Sequence, residues 1–146
     1  QINPILLSNE KLKYKIIICG KGLQASYDEL KAFSAKHIIY AGFVDDINLY
    51  FKGADIFINP VIEGGGIKTK VVEALGYDLT VISTRSGAIG IPQSISGKKL
   101  YNITDSDWQG FANAIIQADT AEKIPVSFFE QFYWGNIATK VKSILG

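Results

Sequence analysis

The chain has 146 residues, of which 47% are hydrophobic and 20% charged, a composition typical of one globular domain near the commonest domain size. Its formal net charge is +1 and its lysines are scattered rather than striped, which argues against nucleic-acid binding. The longest apolar runs have the length of strands and fall well short of the about 20 residues that a membrane-spanning helix needs.

The only cysteine, Cys19, lies in an apolar run. It cannot close an internal disulfide and has no metal-ligating neighbours in sequence, so we predict a small core residue in a reducing compartment. The chain contains no Met and opens on Gln-Ile-Asn-Pro. We therefore expect a fragment or a processed form of a longer protein.

The first part of the chain alternates apolar runs with polar, helix-like segments. Residues 5–7 predict the end of a first element, and the β-branched run 14–19 predicts a strand buried on both faces. Gly20-Lys-Gly22 stops that strand. Helical spacing of apolar residues over 25–36 predicts a short amphipathic helix, and 37–41 predicts the next strand.

The middle of the chain continues the alternation. Asp45 and Asp46 open a predicted short helix, as acidic residues near an N-terminus should, and Gly53 ends it. Residues 55–59 predict a third strand, which runs directly into three consecutive glycines.

The last third begins with a predicted strand over 79–83, followed by a loop-rich stretch and a short strand over 99–103. Thr104 or Asp105 is the predicted cap of a helix over 106–118. Its buried face is predicted from Trp108, Phe111, Ala112 and Ile115. A closing helix is predicted over 128–145.

Strands that alternate with helices at this spacing predict an α/β fold with a Rossmann-like, mostly parallel sheet flanked by helices. In such sheets, ligands bind beyond the carboxyl ends of the strands. The glycine loops at 20–22 and 64–66 and the turn at 42–44 all fall at those ends.

The most informative stretch runs from Asn59 to Glu73, as a strand, a glycine turn and a helix with Ile67 and Val71 on its apolar face. Free N–H groups at a helix start favour a phosphate or carboxylate. Lys68 and Lys70 add positive charge, and Glu73, about two turns into the helix, could accept hydrogen bonds from ribose hydroxyls. The alternative is a flexible turn with two solvated lysines.

Two further patterns point to other functions. Gly20-Lys-Gly-Leu-Gln-Ala25 matches a dinucleotide fingerprint, but Gly42 and Phe43 fill the place of the acidic residue that this fingerprint requires. A phosphorylated receiver domain would need an aspartate where Asn59 ends the third strand.

His37 has no carboxylate or second histidine nearby in sequence, so we predict a surface or hydrogen-bonded role.

Four segments, taken as an ordered set, resemble the donor-binding half of group 1 glycosyltransferases: 42–46, 54–60, 64–75 and 81–84. The likeness extends from about residue 13 to the end. These enzymes use nucleotide sugars and have two facing Rossmann-like domains. The resemblance implies that this domain lacks its first strand, which normally bears a basic residue that supports the leaving diphosphate.

The resemblance also implies site residues. The family has a glutamate pair, of which Glu73 matches the second, ribose-binding member, while the first would fall on Gly65 and Glu63 lies two positions early. This is similar to a glycine-rich variant, in which 64–69 receive the diphosphate or sugar and the backbone at Val44 meets the base. The implied donor-binding residues are Gly20, Lys21, Gly22, Val44, Gly65, Gly66, Ile67, Lys68, Thr69 and Glu73.

By this resemblance, residues 1–146 form a single C-terminal nucleotide-sugar-binding domain of a larger transferase, which moves a sugar from a nucleotide-diphosphate sugar to an acceptor hydroxyl. The acceptor-binding domain is absent, so we expect the chain alone to be inactive. No metal or other cofactor is expected. A cytoplasmic location is expected, with peripheral membrane association through the missing half left open. The alternatives are a non-catalytic nucleotide- or sugar-binding module, favoured by Gly65, and a dinucleotide-binding oxidoreductase domain.

Overall fold

The computed structural model describes residues 1–21 and 37–145. The helix predicted over 25–36 and the candidate residue Gly22 lie outside these ranges. The helices are α1 (Ile2–Leu7), α2 (Ile47–Gly53), α3 (Thr69–Gly76), α4 (Gln93–Ser96), α5 (Trp108–Gln117), α6 (Val126–Phe132) and α7 (Trp134–Leu145). The strands are β1 (Ile16–Cys19), β2 (Ile38–Gly42), β3 (Ile56–Asn59), β4 (Thr80–Thr84) and β5 (Leu100–Ile103).

All the described strand pairs are parallel, which confirms the predicted fold class. β1 pairs with β2, and β3, β4 and β5 form a second sheet in that order. Within 1–21 and 37–145, β1 is hydrogen-bonded only to β2, and β3 only to β4.

β4 is the centre of the fold, and all of its residues are buried. Because side chains alternate along a strand, Val81 and Ile82 enter two different clusters. Val81 packs with α3, whose Val71 and Leu75 are fully buried. Ile82 packs with Phe111 of α5 on the opposite face. Helices thus cover both faces of this sheet. Helix α3 begins beyond the carboxyl end of β3.

Two predicted element boundaries are wrong. Helix α3 begins at Thr69, so Ile67 lies in the loop before it rather than on its apolar face. Helix α5 begins at Trp108 and is capped by Asp107, whose carboxylate accepts a hydrogen bond of 2.8 Å from the Gly110 amide. The Asp105 carboxylate instead accepts hydrogen bonds from Ser86, in the loop after β4.

The closing helix is also not continuous as predicted. Tyr133 takes an extended conformation (φ −73°, ψ 124°) between α6 and α7. The sequence that follows it, Trp134-Gly-Asn136, has low helix propensity. A Cβ atom on Gly135 would lie 2.6 Å from the Tyr133 ring, so a larger residue at this position would require the exposed ring to move.

Two single-residue predictions can be judged from the fold. Nδ1 of His37 lies 3.2 Å from the Tyr14 carbonyl, and its ring stacks on Tyr14 with centroids 5.0 Å apart, which confirms a hydrogen-bonded role. Cys19 is only half-buried, so the predicted core position is partly right. Burial nevertheless raises the pKa of the Cys19 thiol. Across the described ranges, no helix combines the length and apolarity needed to cross a membrane.

Candidate functional site

The glycine loop between β3 and α3 has a backbone that depends on glycine. Gly64 and Gly66 have φ of +90° and +78°. This left-handed region is open to glycine and costly for other residues. The three glycines are exposed, so their main chain is accessible at the carboxyl end of β3, where the sequence predicted a ligand.

Lys68 is bonded to this loop. Its ammonium donates to the Gly64 carbonyl at 2.8 Å and to the Gly65 carbonyl at 3.2 Å. In a trans peptide the C=O and the following N–H point in opposite directions. The N–H groups of Gly65 and Gly66 therefore point away from the Lys68 ammonium, toward the other side of the loop.

The start of α3 supplies further donors. Lys68 occupies the N-cap position without a side-chain capping bond, and its carbonyl already accepts from Val71 and Val72. Among the described residues, the amides of Thr69 and Lys70 have no acceptor. Exposed N–H groups at the positive end of a helix dipole favour an anion.

Glu73 lies on the exposed side of α3, opposite the buried Val71 and Leu75. Its carboxylate forms a salt bridge of 2.6 Å with Lys70, and 43% of the Glu73 side chain is accessible. The carboxylate therefore faces solvent and can accept hydrogen bonds from a hydroxylated ligand.

A second group of predicted residues meets at the carboxyl ends of β1 and β2. The Gly20 amide donates to the Gly42 carbonyl at 2.8 Å, and the Tyr40 hydroxyl donates to the Gly20 carbonyl at 3.1 Å. The Lys21 ammonium lies 4.6 Å from the centre of the exposed Phe43 ring. The loops after β1 and β2 thus form one surface, with positive charge beside an aromatic face.

Helix α2, which follows the half-buried Val44, lies against α3. The rings of Phe51 and Tyr77 stack with centroids 5.2 Å apart, and the Tyr77 hydroxyl donates to Asn48 at 2.5 Å. The Lys70 ammonium lies 6.0 Å from the centre of the Phe51 ring. The helix that begins after the Val44 turn is therefore a neighbour of the helix that carries Glu73.

The sequence analysis missed a buried polar cluster behind the glycine loop. The Asn59 amide donates to the Ser83 hydroxyl at 3.1 Å and to the Gly87 carbonyl at 3.2 Å. The Thr84 hydroxyl donates to the Val61 carbonyl and accepts from the Gly87 amide at 3.1 Å. The sequence signal for this cluster was the pair Ser83-Thr84 at the end of β4, because hydroxyl groups in a buried strand need hydrogen-bond partners.

The loops after β4 and β5 are joined by a carboxylate. Asp105 accepts from the Ser86 amide at 2.9 Å and from the Ser86 hydroxyl at 2.6 Å. These hydrogen bonds hold the pKa of Asp105 below its usual value. The turn that begins at Ser86 is therefore fixed at its start.

The same turn touches the glycine loop at Gly90. A Cβ atom on Gly90 would lie 2.5 Å from Cγ1 of Ile67, and Gly90 has a φ of +82°. Ile67 thus leaves the predicted helix to pack against this glycine. The contact gives the glycine loop a fixed neighbour on the β4 side.

A cavity of about 380 Å³ lies elsewhere, at the amino ends of β3 and β4, where Asp55, Asp78 and Lys123 line it. Ligands of parallel sheets bind at the opposite, carboxyl edge. We therefore place the candidate site at the exposed glycine loop rather than in this cavity. Within 1–21 and 37–145, no cluster of three or more His, Cys, Asp or Glu residues could hold a metal ion.

A family model described as glycosyl transferases group 1 matches residues 1–119. An uncharacterized 44.6 kDa protein in the cps region of Klebsiella pneumoniae is 27% identical over 96 residues, covering 62% of this chain and 24% of its own length. The chain thus spans about a quarter of this curated relative.

Two solved structures share the fold. Anabaena HepE in complex with UDP superposes with a TM-score of 0.74 at 16% identity, and HepE in complex with UDP-glucose with a TM-score of 0.73 at 18% identity. Each match covers 96% of this chain and 43% of the HepE chain. The fold is therefore shared over nearly the whole of this chain.

Proposed function

Because this chain belongs to the group 1 glycosyl transferases, we propose that it is the donor-binding domain of an enzyme that moves a sugar from a nucleotide-diphosphate sugar to an acceptor hydroxyl. The observation that carries the proposal is the exposed glycine loop, with its outward amides, beside the accessible carboxylate of Glu73. The amides suit the diphosphate of a nucleoside diphosphate, and the carboxylate suits its ribose hydroxyls.

The diphosphate binds, in this proposal, to the amides of Gly65, Gly66, Ile67 and Thr69. The Lys68 ammonium keeps the loop carbonyls turned away from the ligand. Its positive charge, on the other side of the loop, stabilises the negative charge that develops on the leaving diphosphate as the sugar departs. Donors fixed in advance in this way cost no reorganisation during the reaction, which is why such electrostatic terms are usually large.

The nucleoside occupies the neighbouring surface. Glu73 accepts hydrogen bonds from the ribose hydroxyls after exchanging its exposed contact with Lys70. The backbone at Val44 contacts the base, and Lys21, beside Gly20, lies on the phosphate side. The bound UDP and UDP-glucose in the HepE structures make a uridine nucleotide the first donor to test.

The acceptor and the remaining catalytic groups belong, in this proposal, to the part of the polypeptide outside this chain, because the chain corresponds to 43% of HepE. No protein-bound metal or cofactor takes part. The protein works, in this proposal, in the cytoplasm, where Cys19 stays reduced, and any peripheral membrane association would be made through the part of the polypeptide outside this chain.

Calorimetric titration of the chain with UDP, GDP, ADP and NAD tests the proposal. We expect one nucleoside diphosphate to bind with a stoichiometry of one, and NAD to bind more weakly. Preference for NAD would instead favour the dinucleotide fingerprint at Gly20. Binding of a free sugar without any nucleotide would favour a sugar-binding module.

A further inference from the structure

The hydroxyl of Thr84 connects two loops behind the candidate site. It donates to the carbonyl of Val61, which lies between β3 and the glycines, and it accepts from the Gly87 amide at 3.1 Å. Thr84 is 1% exposed. One buried hydroxyl therefore satisfies an acceptor in one loop and a donor in the other.

The two loops meet again farther out. Ile67 follows the last glycine of one loop, and it packs against Gly90, which ends the turn in the other. The intervening glycines make no such packing contact, since a Cβ atom on Gly65 or Gly66 would meet nothing within 4 Å. The exposed part of the glycine loop is thus held at its base and at its far end.

We propose that Thr84 is a positioning residue for diphosphate binding, which it serves by fixing the glycine loop through the turn at 86–90. The inference rests on the proposed function. The loop has left-handed glycines and exposed amides, so with only the Lys68 hydrogen bonds and without these two attachments it would sample more conformations. Binding would then have to order the loop, and the conformational entropy lost would reduce the affinity for the diphosphate. The nucleoside contacts would stay unchanged.

The same strand provides a matched control at its other end. Thr80 is fully buried, and its hydroxyl donates to the Asp119 carbonyl at 3.0 Å and accepts from Lys99 at 3.3 Å. Thr80→Val and Thr84→Val each replace one buried hydroxyl of β4 by a methyl group. Only Thr84 lies at the carboxyl edge beside the glycine loop.

The experiment measures the affinities of the chain for UDP and for uridine, together with its thermal midpoint. We expect Thr84→Val to weaken UDP binding by about tenfold or more and to leave uridine binding within about twofold. Thr84→Ser retains the hydroxyl and should restore UDP affinity. Thr80→Val should lower the thermal midpoint to a similar extent with no effect on the ratio of the two affinities.

A second variant covers the case in which Thr84→Val does not fold. Gly90→Ala disturbs the outer contact, and we expect the same selective loss of UDP affinity. Amide hydrogen exchange at 64–67 should also become faster in either variant without ligand. If the variants lost UDP and uridine affinity equally, the inference about Thr84 would be overturned. It would also be overturned if both variants kept their UDP affinity while the unmodified chain binds UDP, and in either case the proposed function would stand. An unmodified chain that binds no nucleotide would overturn the proposed function as well.

Discussion

The carboxylate of Glu73 lies 2.6 Å from the ammonium of Lys70, one turn earlier on α3. Both side chains are about half exposed. Salt bridges at such positions stabilise a protein by at most about 1 kcal/mol, because water and salt screen them. The pair therefore orients the Glu73 carboxylate while allowing it to exchange Lys70 for the hydroxyls of a ribose.

Glu73→Gln should weaken the binding of UDP and of uridine by the same factor of about ten, or about 1.4 kcal/mol, because both ligands contain the ribose. Inorganic pyrophosphate, which lacks the ribose, should bind equally to both forms. Calorimetric titration with the three ligands measures these ratios.

Glu122→Gln is the control for this substitution. Glu122 forms an equivalent exposed salt bridge of 2.7 Å with Lys98, remote in sequence from the glycine loop. It should leave all three affinities unchanged. A Glu73→Gln chain that loses UDP affinity but keeps uridine affinity would show that Glu73 does not hold the ribose.

Lys68→Met should give the opposite pattern. The ammonium orients the carbonyls of Gly64 and Gly65 and adds charge near the diphosphate. Its loss should reduce UDP affinity by about ten- to a hundredfold, as expected for a hydrogen bond to a charged group, with little change for uridine. The salt dependence of UDP binding should also become shallower. Lys52→Met, which removes another lysine, serves as the charge control; an equal effect there would contradict a local role for Lys68.

Much of the fold followed from the sequence because a parallel sheet leaves a strong pattern. The apolar runs that became β1 and β3 are uninterrupted, and Gly53 and Gly76 end the helices on either side of β3. The errors lie where tertiary contacts decide a boundary. Ile67 has the spacing of a helix residue, but its packing on Gly90 keeps it in the loop, and a contact over this sequence distance leaves no periodic trace.

The residue types of the candidate site could be predicted from the sequence, but the hydrogen bonds that hold its loop in place could not. Exposed glycines and Glu73 could be recognised because a main-chain anion site needs glycines, followed by a helix. The sequence also indicated Lys68 as a source of positive charge, but not its bonds to Gly64 and Gly65, which depend on the loop conformation. Thr84 was missed for a similar reason: its partner Val61 lies 23 residues away in sequence.

The isolated chain should bind a nucleotide and transfer no sugar. The structure provides donors for the diphosphate, but the acceptor and its activating group belong, in our proposal, to the part outside the chain. The measurement is the release of UDP from UDP-glucose, with a range of hydroxylated acceptors, in a preparation whose UDP binding is confirmed by calorimetry. Turnover above that of a Lys68→Met chain would show that the outside part is unnecessary.

The stability of the chain should depend on Asp78 and on pH. The Asp78 carboxylate accepts hydrogen bonds of 2.7 Å from the Lys123 ammonium and from the Ile124 amide, and lies 3.8 Å from the buried ammonium of Lys99. Burial on its own raises the pKa of Asp78, but these hydrogen bonds and the charge on Lys99 together lower it below its usual value. The folded state therefore favours the ionised carboxylate.

Asp78→Asn should lower the free energy of unfolding by about 1–3 kcal/mol at pH 7, because it removes the charge that faces a buried lysine. Asparagine tolerates the φ of +62° at this position, so backbone strain does not contribute. Since the folded pKa is the lower one, the stabilisation is complete above the unfolded pKa of about 3.9 and is lost as the pH falls through the folded value. Urea unfolding at pH 7 and below pH 3 should thus show the difference between the two chains shrinking in acid. Lys123→Met, at a side chain that is 85% exposed, should lower the free energy of unfolding by less than about 1 kcal/mol. If the stability difference between the unmodified chain and Asp78→Asn persisted unchanged at low pH, the charge of Asp78 would be excluded as its source.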